Sequence, residues 1–167
     1  PTARVTIGLH MEDLEEDRRL GPVEAAAECD FLTMHGYPIY ASWADGPTDE
    51  HLLPFLAHLT SWLGGGADVL FSEFGAPTFR AADGGQEPVR REGAVVLLEE
   101  QAAADYTRRA LAALRGAGCL GAMLWCFGDY APSTWHAPPL DEARHERSFG
   151  LWRSDGSAKP ALDADEA

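Results

Sequence analysis

The sequence predicts an α/β chain of four strand–helix units, half the complement of an eight-stranded (β/α)8 barrel. Three observations carry this. Short apolar runs at residues 4–10, 31–38, 68–78 and 119–130 each end in polar or aromatic side chains. Helical patterns separate the later runs, so the strands are expected to lie parallel with helices packed over them. The run at 68–72 is apolar on both faces, as parallel strands covered on both sides are. In such sheets the carboxyl ends of the strands gather ligands and reacting groups.

Taken in order, residues 4–10 form the first strand and end at His10. Residues 11–19 carry Glu12, Asp13, Glu15, Glu16 and Asp17 and read as a solvated loop, in which His10 and Glu12 stay in view only for their strand-end position. Residues 22–28 read as a short Ala-rich helix with Pro in its first turn. The second strand ends in His35 and Tyr37, and a loop with Trp43, Asp45, Gly46 and Pro47 follows. Thr48 is the expected N-cap of the next helix, with Asp49 and Glu50 in its first turn. That helix turns Leu52, Leu53, Leu56, Leu59 and Leu63 to one face. Pro54 sits early, where a missing amide costs little.

The third strand begins after the Gly64-Gly65-Gly66 break and ends at Glu73, before Gly75 and Pro77 turn the chain. Residues 79–93, polar and Gly-rich, read as a long loop over the active face. Residues 97–116 form the strongest helical pattern. Glu99 and Glu100 come early and Arg108, Arg109 and Arg115 late, an order that complements the helix dipole. The fourth strand ends in Trp125 and Asp129, and the segment from 131 to 149 holds Trp135, His136 and several acids.

At 167 residues the chain is sized for a single domain but falls short of a closed barrel, which takes about 250 residues. Net charge is −14, from 27 acidic against 13 basic residues, which speaks against nucleic-acid binding. No apolar run is long enough to span a membrane. There is no Gly-x-Gly-x-x-Gly, P-loop or Gly-x-Ser-x-Gly pattern, so no nucleotide cofactor or serine-hydrolase elbow is indicated. The six His are scattered without ligand spacing, so no metal is expected. Cys29, Cys119 and Cys126 read as buried free thiols.

Four stretches together resemble the clan A glycoside hydrolases, in particular the family-five cellulases and mannanases. Ser72-Glu73-Phe74-Gly75 is similar to the nucleophile motif ending strand seven, and His35-Gly36-Tyr37 resembles the His-x-Tyr ending strand six. Trp125 resembles the Trp at the end of strand eight that floors the sugar site, and residues 149–160 resemble the end of these domains. The resemblance implies a TIM-barrel type fold, with residues 1–167 as one partial domain comprising strands five to eight. It implies a retaining β-glycosidase acting on a β-linked glucan, mannan or related glycoside, with no cofactor. Glu73 would be nucleophile and Tyr37 its orienter, while His35 and Trp125 shape the subsite. Trp43 and Trp135, on strand-end loops, are candidate outer sugar contacts.

The family places its acid/base in an Asn-Glu pair ending strand four, whereas this sequence has no Asn at all and starts at the fifth strand. A chain beginning with Pro1 suits an excised stretch of a longer protein. The expected partner is then a missing amino-terminal half-barrel, or a second copy of the chain closing eight strands. A non-catalytic half-barrel that self-assembles or binds carbohydrate without turnover is the alternative.

Overall fold

A computed structural model describes residues 3–81, 89–92 and 95–163. In chain order the regular elements are helix α1 (Glu12–Glu15), helix α2 (Pro22–Glu28), strand β1 (Leu32–His35), helix α3 (Leu52–Leu63), strand β2 (Val69–Phe74) and strand β3 (Thr78–Phe79). Strand β4 (Val89–Glu92), strand β5 (Val95–Glu99), helix α4 (Glu100–Gly116) and strand β6 (Gly121–Leu124) follow. Short 3-10 turns at Pro132–Thr134, Arg144–Ser148 and Pro160–Asp163 complete the chain.

The main sheet has the order β1-β2-β6 and is parallel throughout, Leu32 standing opposite Val69 and Leu70 opposite Gly121. Residues 4–10 lie along the free side of β1, yet only His10 forms a bridge, to His35. The predicted first strand is therefore extended but irregular, for a side-chain reason. The Thr33 hydroxyl donates to the Ile7 carbonyl at 2.6 Å and accepts from the Leu9 amide at 3.3 Å. The Thr6 hydroxyl donates to the Phe31 carbonyl at 2.7 Å. Two hydroxyls thus stand in for ladder bonds that a regular strand would make with backbone groups.

Helix α3 buries Leu52, Leu53, Leu56, Ala57 and Thr60, so the face is made by two leucine turns and then by small residues, with Leu59 and Leu63 half-buried. Its N-cap is His51, not Thr48. The Asp49 carboxylate takes the amides of Asp45 and His51, which closes the turn before the helix can begin. Gly65 and Gly66, with φ of 71° and 88°, turn the chain out of the helix and into β2.

A second sheet, ordered β3-β5-β4, occupies ground predicted as loop and helix. Strand β5 pairs parallel with β3 and antiparallel with β4, Val89 facing Leu98 and Glu92 facing Val95. The apolar run from Val95 to Leu98 suits strand as well as helix, and two pairing partners settle it as strand. Helix α4 consequently starts at Glu100, and one of its first free amides, Gln101 N, donates to the Glu99 side chain at 2.8 Å. Residues 82–88 and 93–94, part of the predicted loop, lie outside the described residues. The predicted loop at 11–19 contains the one-turn helix α1.

The core joins Leu53 and Leu56 of α3, Phe71 and Phe74 of β2, Met34 of β1 and Tyr106 of α4, all essentially fully buried. Burial pushes the Tyr106 phenol far up from its ordinary value. The three cysteines are free thiols but half-buried, not fully buried. Among the described residues no helix is long and apolar enough to cross a membrane.

The tail is fastened by a buried ion pair. Lys159, 3% exposed, donates to Asp129 at 2.7 Å, to the Thr78 hydroxyl at 2.9 Å and to the Ser148 carbonyl at 3.0 Å. Burial lowers the Lys159 pKa, and the bond to Asp129 opposes that. Removing one partner strands the other charge away from water. Lys159→Met is therefore expected to destabilise the chain by about 3–5 kcal/mol in urea unfolding. Adding Asp129→Leu should recover most of that loss, and an additive double variant would contradict the coupling.

Candidate active site

The site arises because β1 and β2 end side by side. Their register shifts between Met34 and His35, which sets His35 opposite Glu73, and the Gly36 amide donates to the Glu73 carbonyl at 3.0 Å. Gly36 permits this close approach: a Cβ there would lie 2.7 Å from a Leu56 methyl and 2.9 Å from the Phe71 ring. The chain then places Tyr37 over Glu73, with the phenol donating to Glu73 Oε2 at 2.9 Å. His35 Nδ1 lies 3.4 Å from the same oxygen. Among the described residues no hydrogen bond or ion pair reaches Glu73 Oε1.

Burial, and then the charge and hydrogen bond of Glu73, push the Tyr37 phenol far above its ordinary range. It therefore stays a donor, and Glu73 its acceptor. Burial lowers the His35 pKa from 6.5; Glu73 opposes this, and His10 adds to it. The imidazole beside the carboxylate is thus neutral at neutral pH.

Rings hold Tyr37 in place. His10 stacks on it with centroids 6.1 Å apart and planes 22° apart. On the other side Tyr37, Tyr40, His145 and Phe149 form a closed ring of four neighbours, with centroids 5.7, 5.9, 6.5 and 5.9 Å apart in turn. Glu146 joins this group, Oε1 accepting from the Tyr40 hydroxyl at 3.0 Å and lying 3.3 Å from His145 Nε2. Burial, then Glu146, pushes the Tyr40 phenol well up.

Trp125 follows β6 at the same end of the sheet, its amide donating to the Phe74 carbonyl at 2.9 Å. Its ring is half-buried, and the Trp125–Cys126 peptide is cis. Gly75 lies against the Trp125 carbonyl with no room for a Cβ. The structure thus brings Glu73, Tyr37 and His35 into contact, with Trp125 on the neighbouring strand end.

It does not bring in the other two tryptophans. The Trp43 indole donates to Glu15 at 2.9 Å, and its ring meets Phe55 edge-on at 6.2 Å. The Trp135 indole donates to the Tyr130 carbonyl at 2.9 Å, and the Arg147 guanidinium lies 5.1 Å above its ring. Trp135 lines a separate cleft of about 360 Å³ with Thr78, Asp129, Arg147 and Lys159. Sequence reasoning missed Tyr40, His145 and Glu146 as site neighbours; their only signal was a place on segments that follow strand ends. Among the described residues no group of three His, Cys, Asp or Glu is arranged to hold a metal ion.

No protein-family model and no curated protein matches the chain. Solved structures do. An exo-β-1,4-mannosidase from Opitutaceae bacterium strain TAV5 superposes with a TM-score of 0.59 at 27% identity, over 87% of this chain and 23% of that one. A β-glucuronidase from Ruminococcus gnavus gives 0.64 at 15% identity, over 95% and 25%. A GH5 enzyme from Bifidobacterium longum subsp. longum, in complex with Manβ1-4GlcNAc, gives 0.59 at 19% identity, over 86% and 30%. The chain spans about a quarter of the length of these neighbours.

The neutral state of His35 has a consequence for stability. Its folded pKa lies below the unfolded one, so its contribution is full above about pH 6.5 and is lost as pH falls through the folded value. The stability advantage of the wild-type chain over His35→Asn should therefore shrink between about pH 7.5 and about pH 5. Urea midpoints measure it, and a constant or growing advantage would contradict the assignment. The described chain, then, is an α/β fold of the glycoside-hydrolase kind.

Proposed function

We propose that the chain is the carboxyl-terminal half, strands five to eight, of a (β/α)8 retaining β-glycosidase resembling the family-five type, with Glu73 as its nucleophile. One observation carries the proposal: Tyr37 donates to Glu73 Oε2 with His35 Nδ1 3.4 Å from the same oxygen, while among the described residues no hydrogen bond or ion pair reaches Oε1, at the carboxyl end of a parallel strand. A carboxylate fixed through one oxygen presents the other in a defined direction.

Oε1 would attack the anomeric carbon and form a glycosyl ester as the bond to the leaving oxygen breaks. The leaving oxygen takes its proton from a second carboxyl group about 5–5.5 Å from the nucleophile. In the resembled family that group comes from the end of strand four, outside this chain. Water then cleaves the ester, with the same group as base. Tyr37 keeps Glu73 aimed, His35 completes the pocket wall, and Trp125 offers a ring face to the sugar. Trp43 and Trp135, outside the cluster around Glu73, would serve only as outer contacts for further sugar units. Similarity to an exo-β-1,4-mannosidase and to an enzyme bound to Manβ1-4GlcNAc supports a β-linked glycoside as substrate.

Met123, 56% exposed on the last strand of the main sheet, offers an apolar edge for the amino-terminal half or for a second copy of the chain. The self-assembling alternative predicts a compact dimer in sedimentation.

Dinitrophenyl β-glycosides test the chemistry, because their leaving group needs no acid. The chain should release dinitrophenol, and Glu73→Ala should abolish release. Tyr37→Phe should slow it by about 10- to 100-fold, the loss of one hydrogen bond to a charged acceptor. Turnover of an unactivated polysaccharide by this chain alone would contradict an acid/base outside it.

A further inference from the structure

Glu146 is the second carboxylate of this site and has no role in the mechanism above. It lies in the 3-10 turn Arg144–Ser148, and its charge, with that of Glu73, raises the pKa of the Tyr37 phenol. Its geometry repeats that of the nucleophile. Oε1 is held by the Tyr40 hydroxyl at 3.0 Å and faces His145 Nε2 at 3.3 Å. Among the described residues no hydrogen bond or ion pair reaches Oε2. The Glu146 side chain is 30% exposed, so it remains partly open to solvent.

The groups nearest the two carboxylates are phenols, which donate to them, and imidazoles: Tyr37 and His35 at Glu73, Tyr40 and His145 at Glu146. None brings a permanent positive charge. Arg18, on the loop after His10, is already engaged by Glu12 at 2.8 Å, Glu16 at 3.4 Å and Asp13 at 3.7 Å. Lys159 and Arg153 are committed to Asp129 and Glu100. Of the two arginines in the turn that carries Glu146, Arg147 donates to the Leu140 and Trp135 carbonyls, and both Arg144 and Arg147 line the separate cleft of Trp135.

Resting on the reading of Glu73 as nucleophile, we propose that Glu146, pinned by Tyr40 and His145, is a specificity-determining residue that accepts hydrogen bonds from sugar hydroxyls and restricts the site to glycosides without a carboxylate. A carboxylate is an acceptor only, so its partner on the ligand must donate. The hydroxyls of a neutral hexoside do so. The carboxylate of a hexuronide donates nothing and meets Glu146 as a like charge, while Arg144 and Arg147 of the same turn line the other cleft. Tyr40, fixed against Tyr37 at 5.7 Å, ties the position of this acceptor to that of the nucleophile.

The test compares dinitrophenyl β-hexosides with the matching β-hexuronides on the wild-type chain. Release from the neutral sugar should be faster by about tenfold or more, the scale of one charged hydrogen bond. Glu146→Gln, which keeps shape and removes charge, should narrow the gap, and Glu146→Arg should reverse it. Tyr40→Phe should raise KM for the neutral sugar several-fold with little change in kcat. Equal or faster release from the uronide in the wild-type chain would overturn the proposal, as would a preference that Glu146→Arg leaves unchanged.

A measurement without turnover separates this proposal from the nucleophile assignment. Titration calorimetry with 1-deoxynojirimycin and its 6-carboxylate should show tighter binding of the neutral compound, by a margin that Glu146→Gln reduces. That result with no dinitrophenol release would sink the nucleophile and keep the specificity residue. Release with no neutral preference in either assay would do the opposite.

Discussion

A phenol that cannot ionise, set against a carboxylate, is the contact on which the rest of the site depends. Tyr37 is buried and Glu73 half-buried, so the phenol has no easy alternative partner in bulk water. The bond between them exists only because two strands nearly forty residues apart end together. Gly36 lets β1 close on Leu56 and Phe71, the shift at Met34 and His35 carries His35 opposite Glu73, and Tyr37 follows. Packing thus sets the backbone, the backbone sets the pair, and the pair aims one oxygen outward.

The surroundings are consistent with that order. Rings from the extended segment ending at His10, from the segment after β1 and from the segment after β6 enclose Tyr37, so its rotamer is fixed by neighbours on three parts of the chain. Gly75 against the Trp125 carbonyl draws the end of β6 to the same place. The buried Lys159–Asp129 pair then fastens the tail beneath Thr78 and Ser148, next to the turn that carries Glu146. A site built this way has little freedom to rearrange, which suits electrostatic preorganisation.

Strands β1, β2 and β6 were legible because each is a short apolar run between Gly or Pro breaks, and α2 because Pro and an Ala run mark it. Other elements were hidden for physical reasons. Thr6 and Thr33 look like ordinary strand residues, and nothing local shows that their hydroxyls take the place of ladder bonds. Val95 to Leu98 fits two periodicities, and only its pairing with β3 and β4 decides between them. Of the site, the contact of Glu73 with Tyr37 and His35 could be anticipated from the two strand ends and the family resemblance. Tyr40 and Glu146 could not, since 106 residues separate them and no spacing rule connects such positions.

The central claim is that Glu73 forms a bond to sugar carbon. It is tested most directly by incubating the chain with a dinitrophenyl 2-deoxy-2-fluoro-β-glycoside, which slows release of the ester, and then mapping the labelled peptide by mass spectrometry. The account predicts one added fluorosugar per chain, on the peptide containing Ser72-Glu73-Phe74 and on Glu73 itself. A label on another carboxylate, Glu146 included, or no label from a folded chain, would contradict it.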